Sequence, residues 1–362
     1  MNEPNYAASL AARPAVRALM ASQIREVANA GLGEAGVLPF WFGEPDEVTP
    51  AFICNAAAQS LARGETFYSQ NFGIPELREA IGAYVSRLHR PTSAGHVAVT
   101  ASGMSALMLT VEALVAPGDR VVVVTPLWPN LVEIPKILSA NVVCVPLAFS
   151  AAGWTISRAD QQAIVAHCRR HGIWIVADDV YERLVYDGST CAPSFLDLTD
   201  PEDRVISTNS FSKSWLMTGW RLGWIVAPEG LMPDLGKLIE YNTSCSPVFV
   251  QRAGVVAITD GEPTIAHTLE RYRAARDMLV AALVRMPRIT VAPPPGAMYA
   301  FFRVEDVTDS LEFCKRLVRE ARLGLAPGSA FGAEGEGFVR WCFASGEARL
   351  ADGIARLERF LG

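Results

Sequence analysis

Short β-rich runs alternate with helical stretches through the middle of this 362-residue chain, and that alternation limits the fold more than any other feature. Val97–Thr100 reads as a strand and Met104–Val115 as an apolar helix. Pro117-Gly118-Asp119 then turns the chain into Val121–Val124, an all-valine strand of the kind buried on both faces. Asn141–Leu147, Ile173–Ala177, Arg204–Thr208 and Trp224–Ala227 extend the series, with Ala159–His171 as a helix between two of them. Strands alternating with helices favour an α/β layer fold with a mostly parallel sheet flanked by helices. A long helix, Thr264–Arg285, then leads into strand-like Gly296–Val304. The helix Ser310–Arg322, the strand Phe338–Ala344 and a closing helix Glu347–Leu361 complete the texture of a smaller α+β domain. Upstream, Gly43-Glu44-Pro45-Asp46 reads as a turn, with helices near Pro50–Arg63 and from Pro75, a proline suited to a first helical turn. The expected organisation is an arm with part of the small domain over residues 1–42, a large domain over 43–284 and a small C-terminal domain over 285–362.

Half of the residues are hydrophobic and 19% are charged, enough apolar material for two buried cores. A net charge of −6 argues against nucleic acid or an anionic membrane as the main partner. The seven cysteines form no CxxC pair, and most lie in apolar surroundings and read as small core residues of a reducing compartment. The N-terminus lacks the basic start and apolar core of a cleavable signal, and no apolar run reaches transmembrane length, so the cytoplasm is the expected location. The five histidines show no metal-ligand spacing, and no metal is expected.

Chemistry concentrates in Ser210-Phe211-Ser212-Lys213-Ser214-Trp215-Leu216-Met217-Thr218-Gly219-Trp220-Arg221-Leu222-Gly223. A lysine among aromatics and near a second cation loses its proton more readily, because desolvation and like charge both disfavour the ammonium form. The neutral amine forms a Schiff base with a carbonyl. The hydroxyls of Ser210 and Ser212 and the guanidinium of Arg221 supply donors for an anion such as a phosphate. Aldehyde chemistry beside phosphate binding points to pyridoxal phosphate. A lone lysine in a polar loop is ordinarily a surface residue, so the weight rests on its company.

Ser102-Gly103-Met104 joins a strand to a helix, and helix N-termini offer free N–H groups to phosphate, although an ordinary capped helix has the same sequence. Asp178 ends an apolar strand, where ligands of α/β sheets collect, and a carboxylate there keeps a pyridine nitrogen protonated. Asp179 fits that role equally by spacing, or caps the next element. Tyr181, three residues after Asp178, offers a phenol, or is a half-buried tyrosine at a helix start. Trp128, in a proline-framed loop after the valine strand, suits stacking on an aromatic ring as well as plain packing. Arg340 sits among Phe338, Val339, Trp341 and Phe343, and a guanidinium in such a strand needs an anionic partner such as a carboxylate.

Taken in this order, from about Gly43 to the C-terminus, these residues resemble the class I/II aminotransferases, pyridoxal-phosphate enzymes of fold type I. The most specific match is Ser-x-Ser-Lys…Gly-x-Arg-x-Gly at Ser210, Ser212, Lys213, Gly219, Arg221 and Gly223. The resemblance implies that Lys213 is the Schiff-base lysine that also moves the substrate proton. It places Ser102, Gly103, Met104, Ser210, Ser212 and Arg221 at the cofactor phosphate. It sets Asp178 against the pyridine nitrogen, Tyr181 at the 3′-oxygen and Trp128 on the ring. Arg340 matches the clamp on the substrate α-carboxylate, with Gly43 contributing backbone nearby. Tyr68 is similar to the tyrosine that reaches the partner subunit's phosphate, which implies a homodimer. The activity implied is amino-group transfer between an amino acid and a 2-oxo acid.

One departure stands out. The family's Asn-Pro-x-Gly turn, whose asparagine bonds the cofactor's 3′-oxygen, has no counterpart between Leu147 and Asp178. Around residues 148–154 the chain is short by roughly thirty residues, about one strand-plus-connection unit. In the family that strand is interior to the sheet, so its neighbours must close up or leave a gap. The same scaffold supports carbon–sulfur lyase chemistry, and the shortening supports a different reading, a catalytically impaired dimeric binding or structural protein. Trp128, Trp215 and Tyr299 allow a neutral or aromatic substrate without requiring one.

Overall fold

The computed structural model describes residues 12–147 and 155–362. Six strands belong to the larger unit: β1 (Val97–Thr100), β2 (Arg120–Thr125), β3 (Asn141–Pro146), β4 (Ile175–Asp178), β5 (Val205–Ser210) and β6 (Gly223–Val226). They form two sheets. One has the order β1-β6-β5-β4, and only β6 runs against its companions. The other is a ribbon of β2 and β3 paired in parallel.

Side chains alternate across each strand, so a sheet covered on both faces needs apolar residues at every position. The four-stranded sheet meets that demand over its central strands, except at the carboxyl end of β5, where Ser207, Thr208, Asn209 and Ser210 are buried polar residues. Val97, Val99, Val205, Trp224 and Val226 pack on one side against Leu77, Ile81 and Val85 of the helix Pro75–Leu88 and Val250, Ala253 and Ala257 of the helix Val248–Asp260. Ala98, Ile206 and Ile225 pack on the other side against Ala106 and Leu109 of Gly103–Leu114 and Leu235 and Ile239 of Met232–Asn242.

The ribbon does not meet it, and here the expectation of a doubly buried valine strand is wrong. Val122 and Val124 are 60% and 43% exposed. The register Val122↔Val143 and Val124↔Val145 sets four valines on one uncovered face, since Val143 and Val145 are exposed as well. Val176, on the border strand β4 of the other sheet, is also open. No ladder joins β2 to β4 among the described residues. The interior strand that the resemblance requires is thus lacking between them, and its neighbours leave a gap rather than close up. The shortened stretch itself, residues 148–154, lies outside the described residues, as does the start of the arm, residues 1–11.

The smaller unit is an antiparallel sheet with the order β9 (Ala326–Pro327), β10 (Phe338–Cys342), β8 (Tyr299–Val304) and β7 (Ile289–Val291). Its core includes Val27 and Ala28 of the helix Gln23–Gly31, Leu317 of Ser310–Ala321, Leu357 of Glu347–Leu361 and Leu279 and Leu283 of the long helix Glu262–Val284. Leu38 pairs in parallel with Leu323, which stitches the N-terminal segment to this unit.

A buried polar cluster fixes the end of β4. His89 bridges Asp197 Oδ1 at 2.8 Å and Glu182 Oε2 at 3.0 Å. The other oxygen of Glu182 accepts from the Tyr84 hydroxyl and from Asn209 Nδ2, each at 2.8 Å. Hydrogen bonds to the two carboxylates outweigh the burial that opposes charging and hold His89 protonated, its pKa raised to about 10. A histidine whose folded pKa exceeds its unfolded value contributes stability that is full below pH 6.5 and lost as pH rises through about 10.

Two outcomes are expected. Replacing one uncovered valine, Val122→Lys or Val145→Lys, shifts stability by no more than about 0.5 kcal/mol and lowers binding of an apolar fluorescent dye. Thermal melts and dye titration check this, and a loss of several kcal/mol would mean that the face is covered. His89→Gln leaves the buried Glu182 and the half-buried Asp197 without their shared cation and costs about 3 kcal/mol at neutral pH. The decline in melting temperature from pH 7 to 10 should be shallower in the variant, the remainder coming from groups such as Cys191, whose thiol burial pushes up to about 11.

Candidate active site

The carboxyl ends of β4 and β5, the N-terminus of the helix Gly103–Leu114 and the facing edge of the smaller unit converge around Lys213. Lys213 leaves β5 after Ser210, and its ammonium donates to the carbonyl oxygen of Gly43. Its Nζ lies 5.9 Å from the centre of the Tyr181 ring.

The two aspartates left equivalent by spacing separate here. Asp179 Oδ2 accepts from Ser207 Oγ at 2.6 Å and Ser194 Oγ at 3.1 Å, which ties it into the sheet. Asp178 takes the opposite side, where Lys213 is among the groups that act on its charge. Desolvation first, and the Asp179 charge second, push its carboxyl up to about 6, against the pull of a backbone hydrogen bond at Val180 and of Lys213. Desolvation and the Glu182 charge likewise raise Asp179 to about 6.

Ser102 caps the helix Gly103–Leu114, its hydroxyl accepting from Ser105 N at 3.0 Å. The amides of Gly103 and Met104 have no partner among the described residues, as befits a helix start. Ser210 Oγ and Ser212 Oγ, 2.8 Å apart, lie against this turn. The approach depends on Gly223 of β6, where a Cβ would sit 2.5 Å from Gly103 N and 2.7 Å from the Asn209 carbonyl oxygen. Arg221, two residues earlier, is exposed and takes a left-handed conformation with φ of 55°, its Nη1 donating to the Thr218 carbonyl.

Trp128 is 38% exposed on the loop after β2. Its neighbour Asn130 donates to Met104 Sδ at 3.4 Å, which lays that loop against the same helix start. Leu127 N donates to the Phe331 carbonyl at 2.9 Å, linking the loop to the smaller unit.

Arg340, on β10, donates through Nη2 to the Trp41 carbonyl at 2.6 Å and stacks over Tyr299 and Phe331, its Cζ 4.3 and 4.7 Å from the ring centres. Its Nε is buried without a partner. A buried unpaired guanidinium N–H is costly, and an arriving carboxylate would satisfy it. Tyr68 lies apart from this cluster, 90% exposed, with Phe67 exposed beside it.

These residues fit pyridoxal phosphate. Free helix amides, two serine hydroxyls and the buried, unpartnered Ser105 hydroxyl suit a phosphate. Asp178 suits a protonated ring nitrogen, and the Lys213 amine suits the aldehyde. Two sequence expectations change. Trp215 is no pocket wall, because it is fully buried against Phe211, Tyr84 and Trp224. Tyr299, read only as a neutral wall, bonds directly to Tyr181. Nothing in the local sequence marked it, since its role arises where two distant segments meet.

Comparison with known proteins agrees with this geometry. The family described as aminotransferase class I and II matches residues 36–152 and 139–357, two stretches that meet where the chain is shortened. The chain is 31% identical to an aspartate aminotransferase of Pyrococcus horikoshii over 372 aligned positions, 94% of each protein. Roughly thirty of those positions have no residue in this chain, the size of one strand-plus-connection unit. An arginine–pyruvate transaminase of Pseudomonas aeruginosa is 30% identical over 92% of each. Among solved structures, the aspartate aminotransferase of Thermotoga maritima superposes with a TM-score of 0.88 at 29% identity, over 97% of this chain and all of that one. Likeness of this extent, running through both cores and through the lysine segment, makes the chain a member of the class I and II aminotransferases, pyridoxal-phosphate-dependent enzymes of fold type I.

Proposed function

We propose that Lys213 is the catalytic amine of this transaminase, and that the site works on an amino acid and a 2-oxo acid in a homodimer. The observation that carries the reading is the setting of Lys213 between the Gly43 carbonyl and the Tyr181 ring, on the side of the chain that Asp178 faces. Pyridoxal phosphate, when bound, supplies an electrophilic carbonyl and an electron sink. The chain's own residues do the rest. The Gly103 and Met104 amides with Ser102, Ser210, Ser212 and Arg221 bind the phosphate. Asp178 holds a proton on the ring nitrogen, and Trp128 covers the ring. Arg340 clamps the substrate carboxylate on its free Nε edge, which aims the α-carbon at Lys213. Lys213 then takes and returns the proton at that carbon.

The dimer reading rests on exposed aromatics. Tyr68 and Phe67 belong to a loop whose Asn71 donates to Glu240 at 2.6 Å, next to Tyr241, which is 89% exposed. Such a patch belongs at an interface. A cytoplasmic location is supported by seven free cysteines, and no helix among the described residues is long and apolar enough to cross a membrane.

The open sheet favours a second reading, a dimer that keeps the fold without turnover. A half-reaction screen separates the two. The wild-type protein with added pyridoxal phosphate should show a visible absorbance band, and single amino acids should convert it. Lys213→Ala should lack the lysine-linked band and lose at least a thousandfold in rate, as expected when a covalent nucleophile is removed. A band that no amino acid converts would favour the second reading. Arg340→Lys should keep the band and lose roughly ten- to hundredfold in kcat/KM, mainly through KM, because one charged pair of hydrogen bonds is removed.

A further inference from the structure

The hydroxyls of Tyr181 and Tyr299 lie 2.7 Å apart, with their rings edge to face at 83° and 5.7 Å between centres. They come from different units: Tyr181 follows β4, and Tyr299 opens β8. Either hydroxyl can donate, but only one arrangement leaves Tyr181 with a proton to give elsewhere, and in it Tyr299 donates to Tyr181. The Arg340 guanidinium over the Tyr299 ring draws electron density from that phenol and makes it the better donor. Space enforces the pairing. A Cβ on Gly43 would lie 1.8 Å from the Tyr299 hydroxyl, so only glycine lets the phenol reach this point. Burial pushes the Tyr181 pKa well above its ordinary value, so Tyr181 stays a neutral donor.

We infer that Tyr299 is a positioning residue, donating its hydroxyl proton to Tyr181 so that the Tyr181 proton is aimed at the cofactor's 3′-oxygen; the inference rests on the cofactor reading above. Donors at that oxygen favour its anionic form and lower the pH midpoint at which the bound cofactor's visible absorbance titrates. Losing one link of the chain weakens the donation and raises the midpoint.

The test is a pH titration of the absorbance of holoenzyme variants, with melting temperature as a control. Tyr299→Phe keeps the ring under Arg340 and removes only the hydroxyl. It should raise the midpoint by about one unit, a tenfold change in proton affinity, with KM for the amino acid within about twofold of wild type. Tyr299→Ala should raise the midpoint equally and raise KM as well, because the stack with Arg340 is gone. Gly43→Ala should reproduce the midpoint shift by displacing the phenol. A Tyr299→Phe midpoint equal to wild type, in a protein where Tyr181→Phe does shift, overturns this inference alone. Wild-type protein that forms no band with pyridoxal phosphate overturns the cofactor reading and this inference together.

Discussion

One buried carboxylate holds the pocket in register. Glu182 bonds at once to His89 and Tyr84 of the helix region ending near Leu88 and to Asn209 of β5. It is the chain neighbour of Tyr181, and Asn209 is the chain neighbour of Ser210. The position of a phenol and the position of a cradle hydroxyl therefore follow from one side chain. Such a group stays buried only while all its partners are present, so the cluster is stable as a whole and costly to dismantle in part. The protonated imidazole of His89 supplies the charge that makes it tolerable.

Around this anchor the two units divide the chemistry. The four-stranded sheet contributes Lys213, Asp178 and the hydroxyls of Ser210 and Ser212. The smaller unit brings Arg340 and Tyr299, and its Phe331 binds the loop that bears Trp128. Contact between units is possible because Gly43 sits where any side chain would collide with Tyr299, while Gly223 admits the helix start to β5 within the larger unit. Glycine here admits close approach rather than flexibility.

Much of this was legible in the sequence, for definable reasons. Chemically unusual residues at fixed local spacing, such as Lys213 with Ser210 and Arg221, mark their own segment. Strands of alternating or uniform apolar character identify themselves by period, and most bounds shift by only a few residues, as with Ile173–Ala177 against the observed Ile175–Asp178. The helices Asn130–Ile137, Met232–Asn242 and Val248–Asp260 carry weaker signals in the sequence. Pro135 interrupts the first, Pro233 stands in the opening turn of the second, and the third is apolar around much of its girth, which blurs a helical period. The Asp178 and Asp179 choice needed the third dimension, since their neighbours in space come from segments about thirty residues away. His89 and Tyr299 were invisible because each acts only through partners far along the chain. Burial of β2 was misjudged because an all-valine run reports what a strand is made for, not whether its neighbours are still there.

That missing neighbour changes what moves with what. In an unbroken sheet, a tryptophan at the end of β2 would be rigidly tied to the aspartate at the end of β4 through a continuous ladder. Here the ribbon carrying Trp128 has no ladder to β4 among the described residues, while Leu127 beside it is bonded to Phe331. The loop bearing Trp128 is thus held from two sides, to the smaller unit through Leu127 and to the helix Gly103–Leu114 through Asn130, and not through the strand that bears Asp178. Single hydrogen bonds, not a ladder, therefore set where that indole stands relative to Asp178, a looser coupling than a seamless sheet imposes.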